Sequence, residues 1–247
     1  RCGMGHHHHR VHPVCEMEIA MIEQLPTSHR LRPGMNRTAY IAINGIRFKP
    51  GSARGWPERF CDWITCRTPD GIVADRREYY TTALTRFIGQ RKRTDELNRK
   101  VSCRKRAGYR VVLVGHSNGC DEIGRLLRDL GTEIDACHLF APAAMEEDFE
   151  DALINDTVGK IHIYGSMNDQ ALQWGKVTRV LFGWLGLGYG SLGNRGGEFA
   201  AKYPDRVKDH SNHTFGHSSW WDEGANFEHS MRLIIENDTN DQKTTPP

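Results

Sequence analysis

The stretch Gly115-His116-Ser117-Asn118-Gly119 sets a hydroxyl, an imidazole and a carboxamide between two glycines. A serine at this spacing can act as a nucleophile when a tight turn presents its hydroxyl and a base takes its proton. Such a turn strains the serine backbone, and side chains two positions to either side would collide. Glycine at 115 and 119 removes that collision. The backbone N–H of Asn118 faces the same space from a helix start, where free amides and the helix dipole favour negative charge, so it is a candidate oxyanion donor. Gly-x-Ser-x-Gly strings also occur as ordinary strand-to-helix turns with a capping serine, so the flanking elements decide between the readings.

Those elements fit the first reading. Val111-Val112-Leu113-Val114 is a continuous apolar run, as expected of a strand buried on both faces of a parallel sheet. Ile123, Leu126, Leu127 and Leu130 then recur as one helical stripe. A second apolar run over residues 39–43 ends in Asn44-Gly45-Ile46. Strand ends of this kind build the site in an open α/β sheet. The N–H of Gly45 or Ile46 is therefore the candidate second oxyanion donor, with a plain turn as the alternative.

Further along, Trp56-Pro57-Glu58 opens a helix burying Phe60, Trp63 and Ile64, with proline in the first turn. Residues 78–84 are rich in β-formers and read as a strand. Thr94 caps a helix that turns Leu97 and Val101 inward and a basic face outward. Residues 135–140 and 161–164 are strands, the latter followed by Gly165-Ser166-Met167-Asn168-Asp169. A last helix places Phe227, Met231, Ile234 and Ile235 on one face. Strands alternating with helices predict an α/β fold, with a doubly wound, mostly parallel sheet flanked by helices.

On the Gly-His-Ser-Asn-Gly turn and this alternation, residues 39–236 resemble an α/β-hydrolase. The resemblance implies the order nucleophile, acid, histidine, with the acid just past a later strand and the histidine in a loop before the last helix. Asp169 and His217 occupy those places, and with Ser117 they complete a catalytic triad. Glu147 and Asp148 follow the strand ending at Phe140 and are alternatives for the acid, although the run Glu146-Glu147-Asp148 reads more simply as a solvated helix start. His210, His213 and His229 compete with His217. His116 is read as packing or hydrogen-bonding locally. The implied activity is hydrolysis of a carboxylic ester, as by a carboxylesterase or lipase. Thioesterase, amidase and cofactor-free haloperoxidase chemistry, or a non-catalytic binding role, fit the same residues.

The segment between residues 140 and 161 is too short for a sizeable cap domain, so the loops select substrate. Trp56, Trp184, Tyr189, Trp220 and Trp221 are candidate walls of an apolar pocket, and the glycine-rich stretch 183–197 is a candidate flap or surface loop. The partner expected is a small-molecule ester. Neither metal nor organic cofactor is called for by triad chemistry. Charged residues make up 26% of the 247 and the net charge is +2, which argues against a nucleic-acid partner. Seven cysteines without paired spacing argue against a disulfide framework. No apolar stretch is long enough for a membrane span, and cytoplasmic residence is the resulting expectation. Residues 1–38, with four consecutive histidines, read as an unstructured leader, or alternatively as a metal-binding module. Residues 237–247 read as a flexible tail.

Overall fold

The computed structural model of the chain describes residues 37–45, 55–68, 71–77, 89–165, 192–212 and 214–244. The apolar runs form β1 (Thr38–Ile43), β3 (Arg110–His116), β4 (Ile134–Phe140) and β5 (Val158–Tyr164). Two further strands, β2 (Ile72–Arg77) and β6 (Val207–Asp209), occupy the edges. All six are parallel, in the order β2-β1-β3-β4-β5-β6. The order reverses direction beside β1 and β3, so the carboxyl ends of these two strands lie at the topological switch point, where open α/β sheets form their sites.

Both faces are covered. Ile41, Leu113, Leu139 and Ile163 point toward α2 (Gln90–Arg106), α3 (Asn118–Leu130), α4 (Glu146–Ile154) and α5 (Leu192–Lys202), meeting Leu97, Ile123, Phe149 and Phe199. Tyr40, Val112, Phe140 and Tyr164 point the other way. They meet Phe60 and Ile64 of α1 (Trp56–Arg67) and Met231 and Ile234 of α6 (Ala225–Thr244). Each fully buried aliphatic or aromatic side chain contributes about 1.5–3 kcal/mol, so these two layers hold the sheet.

The structure departs from the sequence reading at several elements. Helix α2 begins four residues before Thr94, after Gly89 in a left-handed conformation, and Thr94 is buried with its hydroxyl on the Gln90 carbonyl. Leu130, expected in the α3 stripe, is exposed at the helix end. Residues 192–197 of the glycine-rich stretch are helical. There a Cβ on Gly196 would lie 2.7 Å from Ile163 Cγ2, so the small residue lets α5 approach β5. Cys103 is disulfide-bonded, while Cys61, Cys66, Cys120 and Cys137 are free. The strand expected over 78–84 and residues 1–36 of the expected leader lie outside the described residues, whereas Thr38, assigned to that leader, opens β1 and the Arg37 guanidinium donates to the Ala107 carbonyl at 2.9 Å. No helix among the described residues is long and apolar enough to cross a membrane.

Residues 237–244 of the expected tail are instead the second part of α6, which continues to Thr244 because polar side chains dock it on the sheet. Tyr40 donates to Asp238 at 2.7 Å, Arg110 pairs with the same carboxylate, and Asn237 Nδ2 donates to the Tyr164 hydroxyl at 3.0 Å. His162 Nε2 lies 2.8 Å from Asp241 Oδ2, and its Nδ1 lies 3.1 Å from His210 Nε2. The His162 ring thus bridges the carboxylate of α6 and the imidazole just past β6.

Burial and the neighbouring His162 push His210 down from 6.5 to about 4, and burial drives His138 down as well. Between pH 6.5 and 4 the unfolded chain therefore binds a proton at residue 210 that the folded chain refuses, and stability falls with pH. Glu122 acts oppositely. Burial lifts it from 4.5 to about 7 against the pull of Arg93 and Arg77, which costs stability as pH rises through that window. The two contributions offset one another, so the informative quantity is a difference. His210→Gln retains an N–H donor and should lose about 1 kcal/mol less stability than the parent between pH 6.5 and 4.5, allowing for the ring's partial exposure. Urea unfolding at both pH values measures this, and parallel losses would contradict it.

Candidate active site

Strand β3 runs into α3 through a single residue, Ser117, at φ 55° and ψ −121°. That conformation is unfavourable for a residue with a Cβ, and its surroundings impose it. Ser117 N donates to the Phe140 carbonyl at 2.9 Å, while its own carbonyl accepts from Cys120 N at 3.0 Å and Ala143 N at 3.2 Å. The flanking glycines are required for a reason the motif alone did not reveal. A Cβ on Gly119 would lie 2.4 Å from the Ile43 carbonyl oxygen, and one on Gly115 would lie 2.8 Å from Ile123 Cδ1. A side chain at either position therefore meets β1 or α3.

The same crowding brings the end of β1 onto the serine. A Cβ on Gly45 would stand 3.0 Å from Ser117 Cβ and 3.5 Å from Ser117 Oγ. Asn118 is the first residue of α3 and is buried. The backbones of Gly45 and Asn118 thus flank the hydroxyl from two elements. Ile46, the alternative donor, lies outside the described residues.

His217 reaches the serine from a loop between β6 and a short 3-10 turn, Ser219–Trp221. Its Nε2 lies 2.8 Å from Ser117 Oγ, within proton-transfer distance. The loop is shaped locally: Ser219 Oγ accepts from Gly216 N at 3.0 Å, and Asn212 N donates to the Gly165 carbonyl at 3.0 Å. Of the rival histidines, His210 is bonded to His162 and His229 sits in α6 against Phe215. His213 lies outside the described residues.

Asp169 also lies outside them. The described part of β5 ends at Tyr164 and Gly165, at the same sheet edge as Ser117. Of the rival acids, Glu147 is exposed. Asp148 is buried in α4 and pairs with Arg128 of α3, so the expectation of a solvated acidic start fails at this residue. Trp184 and Tyr189 are not among the described residues. Trp220, a candidate pocket wall, is fully buried against Phe140, Tyr164 and Phe215 and belongs to the core. Trp56 and Trp221 stack at 4.0 Å between ring centroids, with their edges toward His116. Among the described residues no group of three or more His, Cys, Asp or Glu side chains is placed to hold a metal ion.

One residue was under-read from sequence. His116 Nε2 lies 2.9 Å from the carbonyl oxygen of His217, so its bond is long-range rather than local. The side chain sits inside the motif, but no periodicity reveals a partner on a distant loop.

No protein-family model matches the chain, and no curated sequence matches it. Solved structures do. An uncharacterized protein from Bacillus cereus matches with a TM-score of 0.58 at 11% identity, over 93% of this chain and 67% of that one. An acetyl ester-xyloside bifunctional hydrolase from Caldicellulosiruptor lactoaceticus matches at 0.54 and 10% identity, over 85% of each. A predicted CIB-like hydrolase from Thermoplasma acidophilum matches at 0.53 and 14%, over 85% and 89%. With six parallel strands and flanking helices among the described residues, the chain has the α/β-hydrolase fold.

The packing at Gly119 yields a direct test. Gly119→Ala drives a methyl group into the Ile43 carbonyl and should destabilise the fold by about 1–3 kcal/mol, read from the urea midpoint. An unchanged midpoint would show that β1 and α3 are not pressed together at this point.

Proposed function

We propose that the chain is a serine hydrolase that cleaves carboxylic esters by acyl transfer. The observation that carries this reading is the 2.8 Å contact between His217 Nε2 and a serine hydroxyl on a strained turn at the carboxyl edge of the sheet. A histidine there takes the hydroxyl proton as Oγ attacks the carbonyl carbon. The tetrahedral oxyanion that follows is held by backbone N–H groups of Asn118 and of Gly45 or Ile46, each supplying about 3 kcal/mol. His217 then passes its proton to the departing alkoxide, leaving an acyl group on Ser117. Water, deprotonated by the same histidine, attacks the acyl carbon and frees the acid.

Asp169 is proposed as the carboxylate that orients His217 and stabilises its imidazolium. Its place just beyond β5 and the engagement of Asp148 with Arg128 support that assignment. A small-molecule ester is the proposed substrate. Two of the structural relatives are hydrolases by name, one of them an acetyl ester hydrolase, which accords with the reading.

Hydrolysis of nitrophenyl esters of increasing acyl length tests the reaction and gauges the pocket together. Ser117→Ala and His217→Ala should each lower kcat by more than about 10³-fold with the fold intact. Asp169→Asn should lower it by about 10²-fold or more, whereas Asp148→Asn, which disturbs only the pair with Arg128, should leave kcat within about twofold. Full activity in Ser117→Ala would refute the proposal. Loss in Asp148→Asn but not in Asp169→Asn would move the acid to α4.

A further inference from the structure

Two adjacent residues grip both ends of one distant residue. Ser117 Oγ meets the imidazole of His217 at 2.8 Å, and the preceding side chain, His116, meets the backbone carbonyl of the same His217 at 2.9 Å. A carbonyl oxygen only accepts, so His116 Nε2 carries the proton of that bond in the neutral and the charged ring alike. His116 is the last residue of β3, is 9% exposed, and stands roughly perpendicular to Trp56 and Trp221, with ring centroids at 6.4 and 6.5 Å. Those two indoles are stacked on each other and wall one side of the imidazole.

Among the described residues, the loop carrying His217 has no helix or strand between β6 and the 3-10 turn. On the serine-hydrolase reading, on which this inference rests, the distance from His217 Nε2 to Ser117 Oγ must hold to a fraction of an ångström through two half-reactions. We propose that His116 is a positioning residue: its Nε2–H anchors the His217 carbonyl to the same rigid strand end that carries the nucleophile. The base and the hydroxyl are thereby referenced to one piece of backbone. The His116 ring also lies 5.1 Å from that of His217, centroid to centroid, and its proposed role involves no proton transfer. Its effect falls on the chemical step rather than on substrate affinity, because the substrate meets the oxyanion donors and the loops, not this bond.

A pair of variants of nearly equal length separates the hydrogen bond from the packing. His116→Met fills the space without a donor, and His116→Gln restores an N–H donor at about the same reach. With a nitrophenyl ester as substrate, His116→Met should lower kcat by about 10–100-fold with KM within about twofold of the parent. His116→Gln should recover kcat to within about fivefold of the parent. Unfolding midpoints are measured alongside. If Met and Gln behave alike, whether both active or both impaired, the donor has no positioning role and the proposal fails. Loss of folding in both variants would make His116 a packing residue and would also overturn it. Failure of the underlying reading has a different signature, since the parent protein would then hydrolyse no ester at all.

Discussion

The site depends on the compression of three backbone segments around one strained residue. Ser117 is held at φ 55° because Phe140 at the end of β4, Ala143 just beyond it and Cys120 in α3 each bond its peptide groups, while Gly119 presses against the last carbonyls of β1. A residue in such a conformation costs on the order of 1–3 kcal/mol, which the two buried faces of the sheet offset. The result is a serine at the carboxyl edge of the sheet with its hydroxyl 2.8 Å from His217 Nε2 and the backbone of Gly45 packed close to its side chain. Relaxing any one segment would return the serine to an ordinary helix start.

The opposite face of the sheet solves a related problem with polar groups. Helix α6 crosses β1, β3, β4 and β5, and its second half carries Asn237, Asp238 and Asp241, which are not residues that dock by hydrophobicity. Each is met by a partner on the sheet: Tyr164, then Tyr40 with Arg110, then His162. Buried charges are tolerated only when paired and hydrogen-bonded, and these are. The last of these pairs extends through His162 to His210, directly before the loop that carries His217. The docking of the last helix and the start of the loop that carries His217 are therefore joined by one line of hydrogen bonds.

Much of this was legible in the sequence, and the reasons for the rest are physical. The four central strands announce themselves because a parallel strand covered on both faces is apolar throughout, as Val111 to Val114 is. The edge strands do not. Asp75, Arg76 and Arg77 in β2 and Lys208 and Asp209 in β6 are charged, since an edge strand has water on one side. The final turns of α6 read as a tail because helix-stabilising contacts there are polar and come from residues far away in the chain. Ser117 was singled out by motif and His217 by its position before the last helix, and the two side chains lie 2.8 Å apart. His116 lay in plain view within the motif, yet its role comes from a bond to a residue 101 positions later, which no local pattern encodes. Trp220 misled because an indole signals an apolar setting without telling core from cleft.

The central claim is that the Ser117 hydroxyl is activated where it stands. The most direct measurement exposes the protein to a fluorophosphonate, whose phosphorus is attacked only by an activated hydroxyl, and maps the adduct by peptide mass. A single stoichiometric adduct on Ser117, forming far more slowly when His217 is replaced by alanine, is the expected result. An unmodified Ser117, or an adduct whose rate does not depend on His217, would contradict the account.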